Sequence, residues 1–555
     1  GNTCGLHGGG VFFYSGDELY LQSSTISGNT GGGIWAAGRY TSVDIQSSLL
    51  TGNQASYNKG GGLYFSGHDL TVQSTTITDN ASHFDGSTET VVGGGGLFAR
   101  ATSDYLSNGA ITIDQSTING NQTTGFNSFG AGAHLVADGA SLTITRTTIS
   151  NNDGIGEEVN VGGIAVLAES NSNVLIDGLK VIENHADDDI GGLYIKNEAS
   201  VVTLTNSTIA DNDANHNSDL DAAGGVWIRA SNGGETTVQS STISGNKVIT
   251  PPGGDDQDVY GGGVFIQSSA GTTTTFLNAT ISGNEAEGSG GGVKIGEDFG
   301  APQGNSVGSG GGIHVGNSTT TVTLDHTIVA GNFRGNGSTR DDIKADVAAE
   351  IGAAWSLIGD DTGANLTDNG NNQIGISSSP INPLLHELED NGGPTQTHAL
   401  LLGSPALDAG NSSAVAGANG VPTYDQRGNP FGRVVNGDGL LGARIDIGAF
   451  EATSAMICVN TEDDELDTVV NFADLSLREA VDYANDAGVP ITICLPAGTY
   501  DLTIDGFGGI DKDDLDVTGN VTIMGDEPGL SGITSDEWRI FDVADSSELT
   551  VSGVT

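Results

Sequence analysis

Carboxylates are the groups in this chain best placed to do chemistry. Asp187, Asp188 and Asp189 are consecutive, and Asp255, Asp256 and Asp258 nearly so; each set sits in a long insertion just ahead of a glycine cluster. Calcium takes roughly six to eight oxygen ligands, and Asp side chains with turn carbonyls supply them. These two sets are therefore the first candidates for a calcium site. The competing reading is a solvated acidic surface, since the chain carries neither an EF-hand loop nor a GGxGxD array. Cations are scarce. Lys196, Arg229, Lys294 and His314 lie in alternating runs after glycine clusters and could face a groove, but no motif joins them. The 10 His show no H-x-x-x-H or H-E-x-x-H spacing, which argues against zinc.

Three cysteines exclude a disulfide framework. Cys458 lies between Ile457 and Val459, and Cys494 between Ile493 and Leu495. On strands each Cys points away from its apolar neighbours, so the two can share a face. A cross-strand disulfide and a pair of free thiols both fit, and Cys4 is left over.

What has to position these groups is a repeat. A short alternating run ending in Asn recurs at Asn29, Asn53, Asn80, Asn121, Asn152, Asn184, Asn212, Asn246, Asn284 and Asn332. Between these Asn stand glycine clusters followed by alternating apolar runs, such as GGGVFF at Gly8, GGLYIK at Gly191 and GGVWIR at Gly224. Each half is a few residues of period two, rich in Val, Ile and Thr, as a strand with one buried face requires. The many glycines, 88 of 555 residues, supply the corners. No helical periodicity appears before residue 475, which removes helical crossovers, so equivalent strands must stack in parallel from one coil to the next. The expectation is an all-β parallel β-helix, a rod on the order of 50 Å or longer at about 4.8 Å per coil. The recurrent Asn reads as an inward stack at one turn, each amide bonding to its neighbour.

The Gly-Gly-Gly/STISGN alternation over residues 1–375 resembles the right-handed parallel β-helix proteins of the pectate-lyase-like superfold, bacterial surface and secreted type. Residues 376–452, with DNGGPTQTHALLLGSPALDAG, YDQRGNPFGR and RIDIGAFE, resemble the closing segment of those proteins. Asp425, Arg427, Arg444 and Asp446 in it read as a salt-bridged cap holding loops on the last coil, in preference to an active-site cluster. Residues 453–555 resemble the opening segment: a strand, the sequence LSLREAVDYANDAG, then ITICLPAGTYDL. The family pattern has Cys before SLREA; here Leu475 stands there, which removes a thiol role. Ser476 and Glu479 form an S-x-x-E capping box, Leu477, Ala480, Val481 and Ala484 form one apolar stripe, and Gly488 suits the C-terminal cap.

An opening segment thus follows a closing one. Thr550–Thr555 aligns on Thr71–Thr76, so the end of one copy nearly completes the coil that Gly1 leaves unfinished. The chain therefore reads as a window across two modules, or one period of an array, with copies stacked head to tail. Since it opens at Gly1 inside a patterned segment, a processed chain or a piece of something longer is expected.

Lys+Arg 18 against Asp+Glu 70, a formal net charge of −52, excludes nucleic acid as partner and disfavours anionic membrane surfaces. It favours divalent cations. From fold and charge the first reading is a non-catalytic extracellular or cell-surface fibre or adhesin-like stalk, calcium-associated and self-associating head to tail. The alternative is a polysaccharide-binding or polysaccharide-degrading enzyme. The resemblance implies for a uronate lyase a cationic Lys or Arg base beside calcium, and for a glycosidase paired carboxylates. Trp35, Tyr64, Phe98, Tyr194, Trp227 and Phe265 recur on the strand after the glycine corner, as core and surface stacking or as a sugar-binding stripe.

Overall fold

A computed structural model of the chain describes residues 1–4, 8–14, 16–56, 60–83, 92–103, 107–125, 128–156, 161–215, 222–249, 261–269, 271–287, 293–296, 321–335, 339–343, 350–362, 364, 366–436, 443–466, 472, 474–504, 514–525, 530–535 and 539–555. Its architecture is the parallel β-helix that the repeat predicts, with the right hand that the resemblance implies. One coil shows the plan. Ile164–Glu169 lies in the first sheet, Asn173–Asp177 in the second, Lys180–Ile182 in the third and His185–Ala186 in a short fourth, after which the next coil begins at Leu193. Equivalent strands pair in parallel and in register, as in Ile164 with Leu193 and Val174 with Val202. The second and third sheets each hold 12 strands, from Glu18–Gln22 to Leu366–Asp368 and from Thr25–Ser27 to Gln373–Ile374.

Period-two patterning builds the core. In Ser42–Gln46, Val43 and Ile45 turn inward and the polar residues outward. Coil after coil this gives one continuous column, including Ile45, Val72, Ile113, Ile144, Ile176 and Leu204. Each coil turns from the second sheet to the third on a single residue of positive φ, such as Ser47, Ser74, Arg146 or Asn206. That conformation is costly for most side chains. At the corner before the first sheet, backbones approach closely: a Cβ on Gly192 would lie 2.5 Å from the Gly225 carbonyl oxygen and 3.1 Å from the Asn212 amide nitrogen.

The ten recurrent Asn form the expected ladder. Asn184 Oδ1 accepts from the backbone N–H of Asn152 (3.1 Å) and from its Nδ2 (2.8 Å), while Asn184 Nδ2 donates to Asn212 Oδ1 (2.8 Å) and to the Ile149 carbonyl (3.0 Å). The same pattern runs from Asn29 to Asn332 and ends on Asp342, whose Oδ1 accepts both Asn332 bonds. A second ladder, of hydroxyls, was not apparent in the sequence. Ser48, Thr75, Ser116 and Thr147 each accept the backbone N–H of the preceding coil at the second-to-third corner.

Residues 376–452 contact the last coil, where Gln373 donates to the Pro405 carbonyl, and extend well beyond it. They leave the final coil at Ile381, bonded to Gly359, and run back along the outside of the third sheet. Thr208 donates to the Gln396 carbonyl (2.6 Å), Gln426 bridges Thr208 and Thr242, Arg433 reaches Asn278, and the Ala449 N–H meets Thr280. The reason is chemical. The third-sheet strands TIA, TIS and TIS carry Thr208, Thr242 and Thr280 outward, and these hydroxyls satisfy the strap's backbone and amides.

Residues 453–555 build their own parallel sheet in the order Ala455–Cys458, Ile491–Leu495, Asn520–Gly525, Glu548–Ser552, around a separate apolar cluster. Helix α1, Leu477–Asp486, covers one side. Ser476 and Glu479 exchange both capping-box bonds, and Gly488 follows with φ 70°. Leu475, where the family pattern has Cys, is buried in this cluster. The unit is joined to the strap and, through one buried cluster, to the third-sheet strands of the last coils. Leu401 bridges Met456, and Met456 and Cys494 share a buried cluster with Ala399, Leu400, Ile328 and Leu357. Among the described residues, no helix is long and apolar enough to cross a membrane.

Candidate functional site

Among the described residues, the outward face of the first sheet brings together two of the scattered candidates, Lys196 and Arg229. In-register pairing aligns Arg100, Val136, Leu167, Lys196, Arg229 and Gln267 along the coil axis. Beside them run Asp138, Glu169 and Glu198. Lys196 Nζ lies 2.8 Å from Glu169 and 3.9 Å from Glu198, and Arg100 lies 2.7 Å from Asp138. A hydrogen bond from Ser170, and then Arg100, holds the Asp138 carboxyl below its usual range. Lys196 and Arg229 are half-buried and one coil apart, about 4.8 Å along the axis. Tyr194, two residues before Lys196 and nearly buried, hydrogen-bonds Arg229. Burial pushes its phenol up and Asp189 adds to this, while Arg229 opposes it, so the phenol is a proton donor at neutral pH.

The proposed calcium ligands are divided. Asp187 faces His185 (3.3 Å), whose other ring nitrogen lies 2.5 Å from Asp213. That Asp213 bond, with Asp187 and Asp153 adding to it, lifts His185 to about 9 against burial. Asp188 and Asp189 are buried, the latter near Tyr194. Asp255, Asp256 and Asp258 lie outside the described residues, as does His314; the Lys294 backbone pairs with Phe265.

The aromatic column is a packing device. Phe12, Trp35, Tyr64 and Phe98 stack with centroids 4.8–5.5 Å apart and planes within 3–8°. Both faces of Trp35 and Tyr64 are taken by neighbours, while Phe12, at the end of the stack, is exposed. Tyr194, Trp227 and Phe265 are buried with Val161, Ile190 and Ala223. A recess of about 490 Å³ between the last coils and the strap includes Asp325, His326, Trp355 and Asn411, but there the Trp355 ring lies against His326.

The Asp425, Arg427, Arg444 and Asp446 set is structural. Arg427 pairs with Asp425 (2.6 Å) and donates to the Glu451 carbonyl (2.6 Å), both buried; Arg444 donates to the Gly410 carbonyl (2.7 Å). Its centre is a residue that sequence reasoning missed. Arg433, fully buried, bonds Asn278 Oδ1, the Asp446 carbonyl and the Gly448 carbonyl, 3.8 Å from Glu451. No local spacing marks it. Cys458 and Cys494 face each other on paired strands and are disulfide-bonded.

A family model described as a right handed beta helix region matches residues 2–126 and 84–281, together half of the chain. The chain belongs to this right-handed β-helix family. Among solved structures, this β-helix protein is similar to pectate lyase Pel9A: 13% identity, 79% of this chain and 97% of that one, TM-score 0.38. It is also similar to the PL6 family alginate lyase AlyGC: 12% identity, 98% of this chain and 67% of that one, TM-score 0.25. No curated protein matches the sequence.

Proposed function

We propose that this β-helix protein recognises an extended, carboxylate-bearing polysaccharide along the outer face of its first sheet, and that it acts outside the cell. The observation that carries the reading is the in-register placement of Lys196 and Arg229, with Tyr194 bonded to Arg229. A polymer lying along the coil axis presents carboxylates to both cations, and Arg is suited to bidentate pairing with one. The same groups suit cleavage. The paired cations neutralise a uronate carboxylate and so acidify the neighbouring C–H, the Glu198 carboxylate beside Lys196 takes that proton, and the Tyr194 phenol gives its own to the departing oxygen as the C–O bond breaks. The charge of −52 repels a polyanion at long range. Binding should therefore strengthen with added calcium, the reverse of ordinary polycation binding.

The test is binding of polygalacturonate, alginate and a neutral glucan to the wild-type chain and to a Lys196→Ala/Arg229→Ala double variant, with and without Ca²⁺. Polyuronate binding that falls about tenfold or more in the variant is expected, since charge-assisted hydrogen bonds are worth roughly 1.5–3 kcal/mol. Equal binding by the variant, or a preference for the neutral glucan, would overturn the reading. Release of unsaturated uronate products, read by ultraviolet absorbance, separates cleavage from binding.

A second reading, a head-to-tail fibre of modules, has one observation in its favour. Val11–Tyr14, Glu18–Gln22, Thr25–Ser27 and, in the 453–555 unit, Glu548–Ser552 are outermost strands, and Phe12 and Tyr14 are exposed beside them. Such edges pair readily with another chain. Electron microscopy of concentrated protein should then show rods several chains long; single-chain particles at every concentration would dismiss it.

A further inference from the structure

We propose that His386, Cys458 and Cys494 form a site for one zinc-type, thiophilic divalent cation that is opened by reduction of the disulfide. The three donor atoms lie within 4.8 Å of one another. Cys458 and Cys494 are directly opposite on adjacent parallel strands, Cα atoms 4.4 Å apart. His386 comes from the strap, 72 and 108 residues away in sequence, and its Nε2 is 3.0 Å from Cys494 Sγ. Its other nitrogen, Nδ1, lies 2.8 Å from Glu389 Oε1. That carboxylate fixes the ring proton on Nδ1 and turns the Nε2 lone pair toward the sulfurs. Carboxylate-oriented imidazole is the arrangement found behind metal-bound histidines, and two thiolates with one imidazole is a soft donor set that selects zinc over calcium or magnesium.

The site is closed in the oxidised form. A dithiol or phosphine reductant delivers two electrons and, with two protons, splits the S–S bond into two thiols. The cation then displaces both thiol protons to solvent, and two thiolates neutralise its charge. Neutrality suits the burial of Cys494 and His386, both under 9% exposed, while half-buried Cys458 gives the reductant access and leaves room for water as fourth ligand. Because the ligands span the strap and the 453–555 unit, the bound ion replaces a cross-link within one sheet by one that ties two parts of the chain.

The experiment titrates the full chain with Co²⁺ after treatment with a phosphine reductant and removal of excess reagent. Sulfur-to-cobalt charge-transfer bands, saturating at one ion per chain and displaced by Zn²⁺, are expected for the reduced chain and not for the oxidised one. His386→Gln should weaken the ion about tenfold or more, and Cys458→Ser should abolish the bands. Zn²⁺ should also raise the unfolding temperature of reduced wild type but not of oxidised wild type, a readout independent of how the variants fold. Absence of the bands from the reduced chain, equal Zn²⁺ shifts in both forms, or unchanged Co²⁺ affinity in a folded His386→Gln chain would overturn the proposal.

Discussion

Asp342 occupies the place that an eleventh Asn would take. Its Oδ1 accepts the Asn332 backbone N–H (2.8 Å) and Nδ2 (2.9 Å), so one carboxylate oxygen ends the ladder. Burial raises its pKa to about 7, and Asp360 adds to this, against the Asn332 bonds and Arg340. An unfolded Asp titrates near 3.9. Between about pH 4 and pH 7 the folded chain therefore holds a proton that the unfolded chain has lost, and stability falls as pH rises through that window. Asp342→Asn keeps the accepting oxygen and removes the titration. The variant should be more stable than wild type at pH 8, with the gap shrinking toward pH 4.5; urea midpoints at both pH values measure it. A gap that does not change with pH would show that Asp342 is not the titrating group.

At the scale of an element, the ladder makes each coil dependent on the next. Removing Asn184 strips acceptors from two donors of Asn152 and a donor from the Ile149 carbonyl, all buried. A buried polar group left unpaired costs about 1–3 kcal/mol. Asn184→Ala should then destabilise the solenoid by about 3–5 kcal/mol, where an exposed-face change such as Thr203→Ala costs under about 0.5 kcal/mol. Denaturant melts of the two variants compare these. Equal costs would mean the ladder contributes little beyond packing. Helix α1 and its capping box were legible residue by residue, because both rest on contacts within four positions.

Across the whole molecule, the strap is what gives the solenoid a second layer. Arg433 is its pin: fully buried, it faces Asp446 and Glu451, whose carboxyls are pushed up by burial, that of Asp446 further by Asp408 and that of Glu451 further by Asp446, while Arg433 opposes both. Each carboxylate also accepts two backbone N–H groups of the strap. Deleting one partner of a buried ionic set costs about 3–5 kcal/mol. In Arg433→Met, limited proteolysis should cut within 376–452 well before the coils, while parallel-sheet circular dichroism persists. Cleavage no faster than in wild type would show that the threonine contacts alone hold the strap.

The coil, its core column, the Asn ladder and the capped helix follow from sequence, because each is a period-two, period-coil or i-to-i+3 relation among neighbours. Register is equally local, since one glycine corner per coil leaves the inward set a single alignment. The candidate site is only half local. Lys196 and Arg229 were visible as cations on strands, yet their alignment waited on coil lengths, which insertions vary. The strap's course along the third sheet, Arg433 at its centre and His386 against the two cysteines have no sequence signature. They join positions 72 to about 200 residues apart through burial and hydrogen bonding. Those contacts exist only once the solenoid has formed a surface for the rest of the chain to fold upon.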